Sequence, residues 1–120
     1  MANLYVYANA AELETPLSGI LGGDIDGLAQ SDNFGSALAI SADGNRIVVG
    51  ARNHDASNQG TNYYDIGSVR VFEYGTAANP TGWSQVGGEI GGVAQNDYFG
   101  GVVASSSDGN SFVARTRDNK

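Results

Sequence analysis

The sequence predicts an all-β chain built from a repeated four-stranded unit, on three observations. Glycine is abundant, 18 of 120 residues against two prolines, and without a G-X-Y period that content means tight turns rather than a collagen helix. Apolar residues fall in short alternating or β-branched runs; only Ala8 to Leu13 shows helical spacing, and that stretch is too short and uncapped to be read as a helix. Most telling, the chain repeats itself. Leu21 to Asp55 set against Val86 to Lys120, an offset of 65 with no gap, matches at 16 of 35 positions. The matches include Gly22/Gly87, Gly27/Gly92, Asp32/Asp97, Phe34/Phe99, Gly35/Gly100 and Asp43-Gly44-Asn45/Asp108-Gly109-Asn110. The same offset lays Leu4-Tyr5-Val6-Tyr7 over Val69-Arg70-Val71-Phe72, so the amino terminus reads as the end of an earlier copy.

The elements follow in order. Gly35 to Ser41 alternates small and larger apolar residues and reads as a first strand. Ala42-Asp43-Gly44-Asn45 supplies a hairpin turn, expected as type I′, which needs positive φ at both central residues. Arg46 to Ala51 is β-branched and returns antiparallel as the second strand. A polar stretch, Arg52 to Ile66, reads as a loop. Gly67 to Tyr74 is the third strand, Gly75 to Gly82 a turn containing Pro80, and Trp83 to Ile90 the fourth.

Such a unit cannot bury both faces alone. Ala37 and Ala39 alternate with Leu38 and Ile40, and Val69 and Val71 oppose Phe72 and Tyr74, so each sheet is built to lie between neighbours. Radially stacked propeller blades provide that arrangement. A two-sheet sandwich of short strands is the alternative, but it leaves the 65-residue identity unexplained. The chain divides into a partial blade at 1–25 (strands three and four), a complete repeat at 26–90 and a partial blade at 91–120 (strands one and two). At about 1.85 units it falls short of the four blades a closed ring needs. Further blades are therefore expected as partners, from a longer parent chain or from other copies.

Composition narrows function. Six basic against 13 acidic residues give a net charge of −7, which repels phosphate backbones and anionic lipid, so neither nucleic acid nor membrane insertion is expected. No apolar run spans a bilayer and no secretion signal is visible. With no cysteine, disulfides, thiolate metal sites and cysteine nucleophiles are excluded.

Asp32-Asn33-Phe34-Gly35-Ser36, followed by Ser41-Ala42-Asp43-Gly44-Asn45 and Ile47-Val48-Val49-Gly50-Ala51, resembles the FG-GAP repeat of integrin-α-like β-propellers. Gly67-Ser68-Val69-Arg70-Val71-Phe72 and Trp83-Ser84-Gln85-Val86-Gly87 resemble the two remaining strands of that unit. The resemblance implies a multi-blade scaffold for binding or cell adhesion, often extracellular; nothing else in the chain indicates its location. Two departures stand out. Ala114-Arg115-Thr116 replaces Val49-Gly50-Ala51, predicting a poor second strand in the last unit, and Ser18 stands where Trp83 would be.

Calcium sites in integrin-type blades need several carboxylates in the hairpin between strands one and two. Here that hairpin carries one, Asp43, repeated as Asp108, so no metal site is expected in it and Gly44 and Gly109 read as turn residues. Asp32 and Asp97 recur before Phe34-Gly35 and Phe99-Gly100 and are expected to cap the chain's entry into strand one through backbone hydrogen bonds. Phe34 and Phe99 read as inter-blade core, and Trp83 as the aromatic anchor of strand four. The 52–66 segment is the candidate recognition element: Asn53, Asp55, Asn58, Tyr63, Tyr64 and Asp65 suit hydroxyl-rich ligands such as glycans, a protein surface, or a hydrated cation such as calcium. It should share a face with the crossover Asp26 to Asn33, opposite the Asp43-Gly44 hairpin. His54, the one histidine, is expected on the surface, and with no nucleophile elbow or second histidine the chain reads as a non-enzyme without a cofactor.

Overall fold

A computed structural model describes residues 3–7, 20–29, 31–58 and 61–116, the side chains of residues 57, 58, 61 and 63 excepted. Ala8 to Leu13, Ser18 and the last four residues lie outside that set. Among the described residues the strands are β1 (Asn3–Leu4), β2 (Ile25–Asp26), β3 (Phe34–Ile40), β4 (Arg46–Ala51), β5 (Ala56–Asn58), β6 (Thr61–Tyr63), β7 (Ser68–Tyr74), β8 (Trp83–Gly91), β9 (Val102–Ser105) and β10 (Phe112–Arg115). The described residues are all-β. They form one complete four-stranded antiparallel blade, β3-β4-β7-β8, flanked by the two-stranded pairs β1-β2 and β10-β9; the blades do not close into a ring.

The repeat is carried down to the hydrogen-bond register. In the complete blade Ser68 opposes Gly91, Val69 opposes Ile90 and Phe72 opposes Gln85. Sixty-five residues earlier, Asn3 opposes Asp26, Leu4 opposes Ile25 and Tyr7 bridges Ile20. At the other end, Ala37↔Gly50 through Ile40↔Ile47 recur as Val102↔Arg115 through Ser105↔Phe112. The flanking pairs are therefore half-blades: strands three and four of one unit, strands one and two of another. Contrary to the expectation for the last unit, β10 forms, four residues long and in register, because pairing needs only backbone groups and a fitting inner face.

Both faces of the central strands β4 and β7 are covered, as their apolar pattern requires. Val48, Val49 and Val69 are at most 2% exposed. Toward the first half-blade point Phe34, Ile47, Val49, Ala51 and Phe72, packed with Ile25, Leu4, Val6 and Trp83. Phe34 meets Phe72 edge-on at 6.4 Å, and the Arg70 guanidinium lies over both rings, 5.4 and 4.7 Å from their centroids. The opposite face, with Val48, Gly50 and Val69, receives β9 and the Phe99-Gly100 turn. Phe34 is buried, whereas Phe99 is half-buried.

Two local expectations are corrected. The 42–45 hairpin is not type I′: Gly44 has φ +75° while Asp43 does not enter the left-handed region, and Gly44 N–H donates to Ser41 O, closing a type I turn that ends in a left-handed glycine. Asp43 Oδ1 accepts from the Ser41 hydroxyl at 2.7 Å and from Asn45 N–H at 2.9 Å. Asp108 does the same for Ser106 and Asn110 at the same distances, with Gly109 at φ +74°. The second correction concerns 52–66, which is no plain loop: β5 and β6 pair as a hairpin inside it, Ala56 opposite Tyr63.

Candidate face formed by the crossovers and the β5–β6 hairpin

Antiparallel strands put alternate connections at opposite ends of a blade. At one end the two β-turns meet: Ala42 N–H donates to Ser107 O at 2.7 Å, and Arg46 Nη1 donates to Gly109 O at 3.0 Å. The other end gathers the crossovers 27–33 and 92–98 around the 52–66 segment.

Asn53 is the hub. Its backbone N–H donates to Asp32 O at 3.0 Å, its side-chain oxygen accepts from Asn33, and its Nδ2 donates to Asp65 Oδ1 at 3.1 Å. Asp55 Oδ1 accepts from Asp65 N–H at 2.8 Å. Asp65 reaches the next crossover, its carbonyl accepting from Tyr98 N–H at 2.9 Å and its Oδ2 from the Tyr98 hydroxyl at 3.4 Å. Tyr64 is 54% exposed, while its N–H donates to Gln95 Oε1 and its O accepts from Asn96 N–H. Of the residues singled out from sequence, Asn53, Asp55 and Asp65 are thus joined and Tyr64 is displayed beside them. Asn58 and Tyr63 lie in β5 and β6, with their side chains outside the described residues.

The crossovers hold an unusual backbone that also repeats. Ser31 and Asn33 have φ +67° and +58°; Asn96 and Tyr98, 65 residues on, have +63° and +51°. A left-handed tyrosine is strained, and its bonds to Asp65 fix it there. Sequence reasoning missed this, because the positions share a conformation without sharing residue types.

Behind the face, Asp32 and His54 form a tie. His54 Nδ1 lies 2.7 Å from Asp32 Oδ2 and Nε2 lies 3.4 Å from Glu89 Oε2, with side chains 16% and 6% exposed for His54 and Asp32. His54 is therefore half-buried rather than on the open surface as expected: it clips the crossover to strand four of the same blade. Neither aspartate caps the entry into strand one: Asp32 faces His54, and Asp97 Oδ2 accepts from Val93 and Ala94 N–H upstream in the crossover, at 3.1 and 3.0 Å. The Trp83 indole N–H donates to Leu21 O at 2.8 Å, and its ring lies 5.6 Å from that of Tyr74.

An open cleft of about 380 Å³ adjoins the Asn53 hub, lined by Arg52, Asn53, Tyr98, Gly101, Val102, Arg115 and Thr116. It lies between the complete blade and the second half-blade and presents two guanidiniums, an amide and a phenol. The amide and the phenol are bonded to Asp65, and the guanidiniums are of the kind that donates to hydroxyl, carboxylate or sulfate oxygens. Among the described residues no three His, Cys, Asp or Glu side chains converge as metal ligands would.

One complete four-stranded antiparallel sheet, stacked between two half-sheets that repeat its register, defines a protein of propeller-type blades. Residues 25–72, which run from β2 through most of β7, match the FG-GAP repeat family. No curated protein and no solved structure matches it significantly.

Proposed function

We propose that this chain is a non-enzymatic binding module, a piece of an FG-GAP propeller scaffold that recognises its ligand with the face formed by the crossovers and the 52–66 hairpin. The observation that carries this reading is the Asn53–Asp65–Tyr98 network, which ties three polar connections onto one end of a rigid blade. Rigid sheets displaying ordered loops are the usual platform for recognition. The exposed Tyr64 ring and the Arg52–Arg115 cleft supply stacking and donor groups suited to a sugar or to a polar protein loop. His54, the residue most suited to proton transfer, has each ring nitrogen facing a carboxylate, which favours a structural tie over catalysis.

The experiment is a binding screen of the chain against a glycan panel and against millimolar calcium, read as a rise in melting temperature. A ligand that raises it in the wild type, and does so less in Tyr64→Ala or Arg52→Ala at unchanged basal stability, supports the assignment. A ligand whose effect survives both substitutions places recognition elsewhere.

A further inference from the structure

Beyond ligand recognition, the two half-blades are complementary: strands three and four stand at one end and strands one and two at the other. Among the described residues the β1–β2 pair has an open edge on β1 where strand two belongs, and the β10–β9 pair has an open edge on β10 where strand three belongs. The faces beside those edges match as well. In the middle of the chain, Ala37, Ala39 and Val48 of the complete blade pack against the inward side of β9–β10, which carries Val103 and Phe112. The repeat equivalents of those two sides are what the free ends expose. At one end Leu38 and Ile40 are 55% and 54% exposed beside an apolar groove of about 310 Å³ bounded by Leu4, Tyr5 and Val6. At the other, Val102 and Val113 are 49% and 68% exposed.

We propose that the β9–β10 hairpin of one copy completes the β1–β2 half-blade of a second copy, head to tail. The strand-two to strand-three register of the complete blade, Val48↔Val71 and Val49↔Arg70, fixes the pairing once shifted by 65 residues in each direction: Val113 opposite Val6 and Ala114 opposite Tyr5 of the second copy. Each copy supplies one whole blade and two halves, so rings of two to four copies fall in the range of four to eight blades. One residue opposes the fit. Arg115 occupies the place of Gly50, the position of closest approach to the next blade's Phe-Gly turn, so in the assembly it faces Gly35 of the second copy. Arg115 therefore weakens the association that the rest of the interface favours.

Sedimentation of the full chain over a range of concentrations, in high salt to screen the −7 charge of each copy, tests this directly. A discrete species of two to four copies is expected. The cysteine-free chain also permits cross-linking: Val6→Cys mixed with Val113→Cys should form a disulfide between copies, since directly opposed strand residues fit disulfide geometry. Val6→Cys mixed with Ala114→Cys, one residue out of register, should not. Leu38→Lys and Val113→Lys, both at exposed positions, should each abolish the ring at unchanged fold, and their mixture should give only a dimer, because one intact interface remains. Arg115→Gly should shift assembly to at least several-fold lower concentration. A monomer at every concentration, open-ended aggregates, cross-linking in both registers alike, or no gain from Arg115→Gly would each overturn the proposal.

Discussion

Gly50 and Gly100 approach across the blade interface so closely that a Cβ built on either lies 3.2 Å from the α-carbon of the other. A Cβ on Gly50 also collides with the carbonyl oxygen of Gly100. This contact sets the spacing of successive sheets, and it places the Phe-Gly turn of one unit on the second strand of the unit before. Gly50→Ala has no room to relax, since its neighbour is backbone. The substitution should cost about 2–3 kcal/mol, measured by urea denaturation. Gly35→Ala meets only the flexible end of Leu4, and its penalty should come mainly from its left-handed φ of +86°, about 1 kcal/mol.

The Asp32–His54 tie is nearly buried, so removing one partner strands the other. Asp32→Ala and His54→Ala should each destabilise by about 2 kcal/mol. The double variant should cost less than the sum, with a coupling of about 1 kcal/mol or more in a double-mutant cycle. Additive losses would mean that the two side chains act separately.

Acid stability should depend on the two β-turns. The Ser41 hydroxyl and the Asn45 N–H hold the Asp43 carboxyl below its ordinary value of 3.8, and the Asn110 N–H and Ser106 hydroxyl do the same for Asp108. A folded-state pKa below the unfolded one contributes stability that is present above 3.8 and disappears as pH falls through the folded value. Asp26 runs the other way: its hydrogen bond with Asp24 and the Asp24 charge raise it, so its contribution is present below 3.8 and is lost as pH rises through the folded value. The denaturation midpoint should therefore fall as pH drops from about 4 to 2, where unfolded aspartates protonate. Asp43→Asn with Asp108→Asn should flatten that fall, and Asp24→Asn should raise stability near neutrality.

Trp83 is the one tryptophan of the chain, and it joins β8 to Leu21 beside the first half-blade. Trp83→Phe keeps ring packing but leaves Leu21 O without the indole donor. A loss of about 1–2 kcal/mol is expected. In the wild type, tryptophan fluorescence and far-UV dichroism should report the same unfolding midpoint, because the half-blade and the blade share one core.

The four strands of the complete blade were legible in the sequence to within a residue, because β-branched runs such as Arg46–Ala51 and turn signals such as Asp43-Gly44 act locally. The 65-residue identity carried the architecture of both half-blades too. What escaped depends on residues far apart or on weak local signals. The β5–β6 hairpin is polar and lacks alternation, so Ala56–Asn58 and Thr61–Tyr63 resembled loop. The hairpin turn was mistyped because Asp-Gly suits several turns, and a two-residue-longer connection selects a type I turn. His54 was misplaced because its partners, Asp32 and Glu89, come from other connections and strands. Of the candidate face, Asn53, Asp55, Tyr64 and Asp65 could be named because they cluster in sequence. Arg52, Tyr98 and Arg115 could not, since only stacking of the next half-blade brings the last two to the first.

The central claim is that units 65 residues apart repeat the same strand pairing, and backbone NMR tests it most directly. Cross-strand Hα and amide contacts should link Leu38 with Val49 and, equally, Val103 with Ala114, and they should link Val69 with Ile90 and Leu4 with Ile25. A carboxy-terminal hairpin slipped by one residue, or first and last segments with no partner strand, would contradict the account.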